Sequence, residues 1–236
     1  MSHITPAERV RLAGLLEETA RNCWATLATD PRAARQPQWT PQTGARLLAY
    51  LDCLLLWRTR TSLVATEVPE EIVVRHIADS LAVAALVPPG ARVADIGSGA
   101  GLPGLPLAVA CPDAQILLVE PRRKRATFLR EAVRAAGATN AAVAEARVEK
   151  LAPEEAGGIA VIVSRAFGPL ADYLEAVAPL AARGAPGCRI VAMKGPRGPA
   201  EAAALAEQHG TPVLLRYDLP GRDERVLLVY EGASEV

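Results

Sequence analysis

A glycine-rich segment carries the clearest chemistry in this sequence of 236 residues. The apolar run Val93–Ile96, which contains Asp95, leads directly into Gly97 and Gly99. Glycine has no Cβ, so the backbone N–H groups of such a loop can approach a bound molecule closely. Pro103 suits the first position of a helix after the loop. The segment therefore predicts a strand, a ligand-binding loop and a helix, with Asp95, Gly97 and Gly99 as binding residues.

These glycines fit two different ligands. Gly99, Gly101 and Gly104 satisfy the GxGxxG pattern of dinucleotide-binding proteins, although a single match to that pattern is weak. A carboxylate at Asp95 would repel a pyrophosphate, whereas it suits the ammonium of the methionine part of S-adenosylmethionine. A tight turn that binds no ligand is the remaining alternative. We favour S-adenosylmethionine as the cofactor.

An acidic residue stands where a ribose would need one. Glu120 ends the next apolar run of the chain, about twenty residues after the glycines, where nucleotide-binding α/β folds place a carboxylate that accepts hydrogen bonds from ribose hydroxyls. Nicotinamide enzymes use the same device, so Glu120 indicates a nucleoside without selecting the cofactor. An ion pair of Glu120 with Arg122 or Arg123 is the alternative interpretation.

Cationic side chains are concentrated next to Glu120. Residues 120–134 contain six basic and two acidic side chains, a net charge of +4, while the whole chain has no net charge. Such a cluster can neutralise RNA phosphates, although a solvated helix face explains it nearly as well. Arg165 and Lys194 follow two later apolar runs, and the carboxyl ends of parallel strands form the ligand-binding edge of a sheet. We therefore interpret Arg165 and Lys194 as catalytic residues.

The absence of certain motifs limits which atom of a base could be methylated. No Asn/Asp-Pro-Pro-aromatic tetrad follows the run that ends near Arg165, which argues against methylation of an exocyclic base amine. The pair Cys111-Pro112 lies away from the predicted ligand-binding edge, so it does not supply the cysteine nucleophile of a C5-pyrimidine enzyme. A ring nitrogen with a free lone pair, such as guanine N7, loses no proton when it attacks a methyl group. Methylation at N7 needs no general base and is consistent with this sequence.

Short apolar runs alternate with helical patterns after Gly90, which predicts a parallel sheet covered by helices on both faces. The predicted strands are Arg92–Ile96, Ile116–Glu120, Ala141–Ala144, Ile159–Val163, Arg189–Met193, Val213–Tyr217 and Arg225–Tyr230. The predicted helices between them are Pro103–Ala110, Arg122–Ala136, Ala146–Glu155, Pro169–Ala181 and Gly198–Gln208. The turn Asp218–Asp223 is too short for a parallel crossover, so the last strand should be antiparallel. The expected fold is α/β, a Rossmann-like class I S-adenosylmethionine-dependent methyltransferase with a seven-stranded, mostly parallel sheet.

Three helical patterns precede this region. They cover Pro6–Leu27, a segment from Pro41 to about Trp57, and Pro69–Leu86, with Thr5 as the expected N-cap of the first. We predict an N-terminal helical region at residues 1–88 and a cofactor-binding domain at residues 89–236. The two are expected to form one compact unit.

The composition sets further limits. An apolar fraction of 50% excludes a mostly disordered chain, and the zero net charge argues against a uniformly basic nucleic-acid binder. The four cysteines are widely separated and lack the spacing of zinc ligands, so no metal is expected. The sequence has neither a signal-peptide pattern nor an apolar run of roughly 18 residues, the length of a membrane span. We expect a cytoplasmic protein without membrane contact that acts as a monomer.

Several motifs together resemble the RsmG family, formerly called glucose-inhibited division protein B, of bacterial 16S rRNA guanine-N7 methyltransferases. The resemblance runs from about Leu47 to Tyr230. Its matching pieces are Val74-Arg75-His76-Ile77-Ala78-Asp79-Ser80, the loop from Asp95 to Gly104, Glu120 with Lys124-Arg125, Arg147-Val148-Glu149, Ser164-Arg165-Ala166-Phe167, Lys194-Gly195 and Arg225. The Arg-His-Ile-x-Asp-Ser helix followed by Gly-Leu-Pro-Gly makes the match specific.

The resemblance implies roles for single residues. Gly97 and Leu102 would contact the methionine part of S-adenosylmethionine, and Glu120 would bind its ribose. Val148 and Glu149 would flank the adenine. The resemblance also implies that Arg165 lies at the cofactor pocket and faces the RNA, and that the helix with His76 and Asp79 packs near the mouth of the active site. For His76 itself, a role as a satisfied core histidine is at least as good an interpretation.

The chain departs from the family pattern in one place that concerns the substrate. The family has Trp-Asn-x-x-x-Asn-Leu-Thr after its second helix, whereas this chain has Arg58 and Ser62 at the asparagine positions and Val64 at the threonine. Arg58 or Arg60 would have to compensate if those side chains contact RNA.

The main hypothesis is a methyltransferase that uses S-adenosylmethionine to modify guanine N7 in 16S rRNA, as naked RNA or in the small ribosomal subunit. A nicotinamide-dependent oxidoreductase and a catalytically silent RNA-binding or ribosome-assembly module are the alternatives.

Overall fold

The structure, a computed structural model, describes residues 4–57, 61–66, 68–221 and 224–232. Helix α1 spans Pro6–Leu27 and helix α2 spans Pro41–Trp57, as predicted. Thr5 caps α1 in a capping box, in which its hydroxyl accepts a hydrogen bond from the Glu8 N–H and the Glu8 carboxylate accepts one from the Thr5 N–H. Arg58 and Arg60 lie outside the described residues.

The third helical segment covers the predicted range but changes its hydrogen-bond pattern along the way. It consists of α3 (Pro69–Ile72), a π-helical turn (Val73–Ala78), α4 (Asp79–Leu81) and a 3₁₀ turn (Ala82–Leu86). π-Helical turns are rare and often accompany functional sites. This one carries Arg75 and His76.

Seven strands form one sheet with the order β3-β2-β1-β4-β5-β7-β6. They are β1 (Arg92–Ile96), β2 (Gln115–Val119), β3 (Ala141–Ala144), β4 (Ile159–Arg165), β5 (Arg189–Lys194), β6 (Val213–Tyr217) and β7 (Arg225–Glu231). Strand β7 lies between β5 and β6 and is antiparallel to both, while the other six strands run in one direction. The predicted seven-stranded sheet with one reversed strand is confirmed.

The helices between the strands agree with the prediction except in two places. They are α5 (Gly104–Ala110), α6 (Arg123–Ala135), α7 (Pro153–Ala156), α8 (Leu170–Ala181), α9 (Gly198–Ala204) and α10 (Ala206–His209). The single helix predicted for Ala146–Glu155 is wrong, because a 3₁₀ turn at Val148–Lys150 and α7 take its place. Pro153 disfavours helical backbone at the residue before it, and Ala152 is extended there. The helix predicted for Gly198–Gln208 is interrupted at Leu205.

Apolar side chains fill both faces of the sheet. One face packs against α5, α6 and α1. Helix α2 and the Pro69–Leu86 segment extend the same continuous core, to which residues such as Leu16, Leu51 and Val93 belong. The other face packs against α8 and the Val148 turn. The division into regions 1–88 and 89–236 stays a prediction, but the N-terminal helices do cover the face of the sheet on which Asp95 lies.

The described residues contain neither a candidate membrane span nor a candidate metal site. None of the helices there combines the length and the hydrophobicity required to cross a bilayer. No group of three or more His, Cys, Asp or Glu side chains in the same part of the chain is arranged to hold a metal ion.

Candidate active site

A pocket of about 280 Å³ opens at the carboxyl ends of β1, β2 and β4. The chain passes from β1 to β2 and β3 on one side and then crosses to β4 on the other side of β1, so the order of the strands reverses at β1. Ligands of open α/β sheets bind at such a switch point. The pocket is lined by Ile96, Gly97, Val119, Glu120, Pro121, Arg122, Arg125, Ala146, Arg147, Val148, Glu149, Ala166 and Phe167.

The glycine loop forms one wall of this pocket through backbone conformations that favour glycine. Gly97 has a φ of +72° and lies against the ring of Phe167, which a Cβ would meet at 3.3 Å. Gly104, at the start of α5, is even more restricted, because a Cβ there would lie 2.3 Å from Leu118 and 2.8 Å from the Asp95 carboxylate. Gly97 therefore lines the pocket in contact with Phe167, and the loop packs tightly below it at Gly104.

Asp95 is fully buried beneath the loop. Its Oδ2 accepts a hydrogen bond from the N–H of Gly104 at 3.0 Å, while its Oδ1 is buried without a partner. Burial raises the pKa of this carboxyl group from 3.8 to about 7, against the hydrogen bond from Gly104. A buried acceptor without a partner is costly, and it suits a cationic group better than the phosphate of a dinucleotide.

Glu120 is held by backbone groups rather than by the arginines that follow it. The N–H of Gly99 donates to its Oε2 at 3.0 Å, and the N–H of Arg122 donates to its Oε1 at 2.9 Å. The side chain is only 3% exposed, yet it lines the pocket. The alternative of an ion pair with Arg122 or Arg123 is therefore not what the structure shows. Glu120 presents a fixed carboxylate to whatever occupies the pocket.

The opposite side of the pocket mixes apolar and cationic groups. Val148 is buried and Glu149 exposed, and both belong to the 3₁₀ turn after β3. Arg122, Arg125 and Arg147 line the same pocket. Arg125 also donates to the carbonyl oxygen of Ser62 at 3.2 Å, a contact that does not depend on the side chain at that position.

Residues 44–215 match the model of a protein family described as GidB, rRNA small subunit methyltransferase G. The chain belongs to this family. A "Ribosomal RNA small subunit methyltransferase G" from Nitrosospira multiformis is 38% identical over 216 residues, which cover 89% of this chain and 99% of that protein. The protein of the same name from Ralstonia nicotianae is 42% identical over 184 residues, 75% of this chain and 80% of its own length. The predicted family is confirmed.

Solved structures show the same fold at low sequence identity. A SAM-dependent methyltransferase from Aquifex aeolicus gives a TM-score of 0.52 at 15% identity, over 69% of this chain and 93% of that one. A precorrin-6y C5,15-methyltransferase from Geobacter metallireducens gives a TM-score of 0.51 at 16% identity, over 74% of this chain and 92% of that one. Both confirm the predicted methyltransferase fold. Membership of the methyltransferase G family also decides against the dinucleotide interpretation of Gly99, Gly101 and Gly104.

The structure brings four of the residues predicted from sequence and family resemblance into the pocket lining and leaves the others outside it. Gly97, Glu120, Val148 and Glu149 line the pocket. Asp95, Gly99 and Leu102 support the loop from below or behind, and Leu102 is only 7% exposed. Lys194 points elsewhere, since its Nζ lies 2.8 Å from Glu201 and 3.1 Å from the carbonyl oxygen of Gly168.

Arg165 is also absent from the pocket lining. Its guanidinium contacts Asp79 at 3.3 Å, donates to the carbonyl oxygens of Arg75 and His76, and contacts the ring nitrogen Nδ1 of His76. Burial lowers the pKa of Arg165, and the charge of Asp79 opposes this effect. The arginine of the family's Ser-Arg-Ala-Phe motif therefore fastens β4 to the π-helical turn, while the next two residues, Ala166 and Phe167, reach the pocket.

Sequence reasoning named Asp79 but missed what it does. This buried carboxylate accepts hydrogen bonds from Tyr217 Oη at 2.7 Å and from Arg225 at 3.0 and 3.1 Å, besides contacting Arg165. It thus joins α4 to the ends of β4 and β6 and to the start of β7. The partners lie up to 146 positions away along the chain, and no local pattern signals such a contact. The family resemblance had singled out Asp79, Arg165 and Arg225, but not Tyr217.

Proposed function

We propose that this protein is an S-adenosylmethionine-dependent methyltransferase that modifies N7 of a guanine in 16S rRNA of the small ribosomal subunit, acting in the cytoplasm as a monomer. The observation that carries the proposal is a pocket at the sheet's switch point, lined by the glycine loop and the fixed carboxylate of Glu120, in a chain of the methyltransferase G family. The relatives named above carry the substrate in their names.

The residues present fit this cofactor. Gly97 lines the pocket and carries no Cβ, Glu120 can accept hydrogen bonds from two ribose hydroxyls, and Val148 offers an apolar surface to a base. The unpartnered Oδ1 of Asp95 lies behind the same loop, and above about pH 7, where this carboxyl group is ionised, it favours positive charge there. S-Adenosylmethionine supplies an electrophilic methyl group when it is bound.

The chain's own contribution to methyl transfer would be positioning and exclusion of water. Holding the two reactants in line can supply much of the barrier reduction when the attacking atom already carries a lone pair. Guanine N7 is such an atom, and no proton has to leave it. None of the side chains that line the described pocket is a histidine, cysteine or lysine, and the proposed reaction does not require one.

Methyl transfer to RNA tests the proposal directly. Small-subunit RNA from a strain that lacks this methylation is incubated with the protein and labelled S-adenosylmethionine, both as naked RNA and as assembled subunits. Borohydride and aniline treatment, which cleaves RNA at N7-methylguanine, should give one new cleavage site. Absence of label, or label on another atom, would contradict the proposal. Salt-sensitive RNA binding without transfer would support the silent RNA-binding alternative.

A pair of matched variants ties the activity to the pocket. Gly97 and Gly187 have the same φ of +72°, but only Gly97 faces the pocket, and a Cβ at Gly187 meets nothing within 4 Å. Gly97→Asp and Gly187→Asp place the same side chain at the same φ, so the difference between them measures what the added side chain meets at Gly97, namely the Phe167 ring and the pocket. We expect Gly97→Asp to lose cofactor binding in calorimetry and Gly187→Asp to retain it.

A further inference from the structure

Phe167 is an exposed aromatic side chain at a ligand pocket. It is 37% exposed and lines the pocket, whereas the other large apolar side chains that are exposed in the described ranges, Val10, Leu56, Val68 and Leu214, do not. A single exposed apolar side chain is common on protein surfaces and needs no functional explanation. Exposure inside a pocket leaves the ring available to a bound molecule.

The backbone presents this ring in a costly conformation. Ala166 has a φ of +58°, and it is the one non-glycine residue with positive φ in the described part of the chain. Such a conformation is retained only where the surrounding structure determines it. Arg165 provides that fixation, because its guanidinium is held by Asp79 and by two carbonyl oxygens of the π-helical turn. The strained residue turns the chain so that Phe167 reaches the pocket.

Packing fixes the ring from two sides. Its centroid lies 5.5 Å from that of Tyr173, with the two planes tilted by 53°. Tyr173 is buried, and its hydroxyl lies 3.2 Å from the carbonyl oxygens of Ile162 and Val191. On another side the ring lies against Gly97. Phe167 is therefore a rigid aromatic surface, and little conformational entropy remains to be lost when a ligand covers it.

The charges around the ring fit a nucleotide. Arg122, Arg125 and Arg147 line the same pocket, and among the described residues none of the three has an acidic side chain within ion-pair distance. An aromatic ring beside cationic groups is the usual way in which proteins hold unpaired bases, since the ring stacks on the base and the cations contact phosphates.

We propose that Phe167 stacks on a purine base and positions it in the pocket. The inference rests on the proposed function and adds a residue to it. Two bases share this chemistry, the adenine of the cofactor and the target guanine of the RNA. Stacking of either kind needs the flat face of an aromatic side chain, not merely its volume.

Two substitutions of Phe167 distinguish the contribution of its flat aromatic face from that of its side-chain volume. Phe167→Leu keeps an apolar side chain and removes the ring, whereas Phe167→Trp keeps an aromatic face. Leu214→Ala is the matched control, because Leu214 is 38% exposed and lies outside the pocket. Calorimetry with S-adenosylhomocysteine measures the cofactor side, and KM for small-subunit RNA measures the substrate side. Thermal unfolding of each variant shows that it is folded.

We expect Phe167→Leu to weaken one of these two interactions by roughly 5- to 150-fold, the range that loss of base stacking covers, and Phe167→Trp to remain within a few-fold of the parent protein. Weaker S-adenosylhomocysteine binding assigns the ring to adenine, and a higher RNA KM with unchanged S-adenosylhomocysteine binding assigns it to the target base.

Two results would overturn the proposal: parent-like values for Phe167→Leu in both measurements, or equal losses for Leu and Trp, which would mean that only packing matters. A parent protein that binds S-adenosylhomocysteine but never methylates RNA refutes the proposed function instead, and the adenine measurement still tests Phe167.

Discussion

Asp95→Asn should make the protein less sensitive to alkaline conditions. The carboxyl group of Asp95 is fully buried, and burial raises its pKa from 3.8 to about 7. Asparagine imitates the protonated acid, because it is neutral and its side-chain oxygen can still accept the hydrogen bond from the Gly104 N–H. The substitution therefore removes a buried negative charge while it keeps the contact that holds the start of α5.

The sign follows from proton binding. Between pH values near 4 and near 7 the folded protein holds a proton on Asp95 that the unfolded chain has lost, so the free energy of unfolding falls as the pH rises. The full loss from a pKa change of this size is about 4 kcal/mol, and more than half of it falls between pH 5 and pH 8. Below about pH 4 both states are protonated and the loss disappears.

Urea unfolding at about pH 5 and about pH 8 measures the effect. With a urea m-value of about 2.5 kcal/mol per M, the parent midpoint should fall by about 1 M relative to that of Asp95→Asn over this interval. Asp172→Asn, at an exposed position of α8, controls for the loss of one formal charge. Parallel pH profiles for the parent protein and Asp95→Asn would refute the reasoning, since Asp95 would then have the same proton affinity in both states.

Two further variants test the charges around the site. Asp79→Asn removes the buried anion that pairs with Arg165 and Arg225. In urea titrations the free energy of unfolding should therefore fall by about 3–5 kcal/mol. A fall of less than about 1 kcal/mol would contradict this account. Arg123→Gln with Lys124→Gln removes two exposed cations of α6, so RNA binding should become weaker and the slope of log affinity against log salt shallower by roughly 1.5. The double variant Arg21→Gln, Arg183→Gln removes the same charge elsewhere on the surface, and an equal change in its slope would argue against a specific RNA contact.

The strand segments and the reversed direction of the last strand could be predicted because each depends on neighbouring residues. Apolar runs such as Val161–Val163 are short and repeat between helical patterns, and a buried parallel sheet requires both properties. The glycine loop and Glu120 could also be predicted from neighbouring residues. A carboxylate directly after a parallel strand lies at the ligand-binding edge of the sheet, whatever the order of the strands. Two expected helices were wrong in part: a 3₁₀ turn and α7 replace the one predicted for Ala146–Glu155, and the one predicted for Gly198–Gln208 is interrupted at Leu205.

The orientation of the cationic side chains could not be predicted in this way. Arg165 and Lys194 end their strands at the expected edge. Arg165, however, points to Asp79 of a distant helical segment, and Lys194 points to Glu201, seven positions later in α9. An arginine at a strand end can turn toward a ligand or toward a buried carboxylate, and the choice depends on the carboxylate's position in three dimensions. Arg165 turns toward the carboxylate here because Asp79 is fully buried, and a buried charge without a partner would cost several kcal/mol.

This pairing gives the N-terminal helices a part in shaping the pocket. Asp79 belongs to the helical segment that covers one face of the sheet, and through Arg165 it fixes the end of β4. The next residue, Ala166, takes the strained backbone conformation, and Phe167 then forms part of the pocket wall. A strained turn persists only when its neighbours are held, so the position of the ring depends on a carboxylate nearly ninety positions earlier in the chain. The family's two separate motifs, Arg-His-Ile-x-Asp-Ser and Ser-Arg-Ala-Phe, therefore form one structural unit.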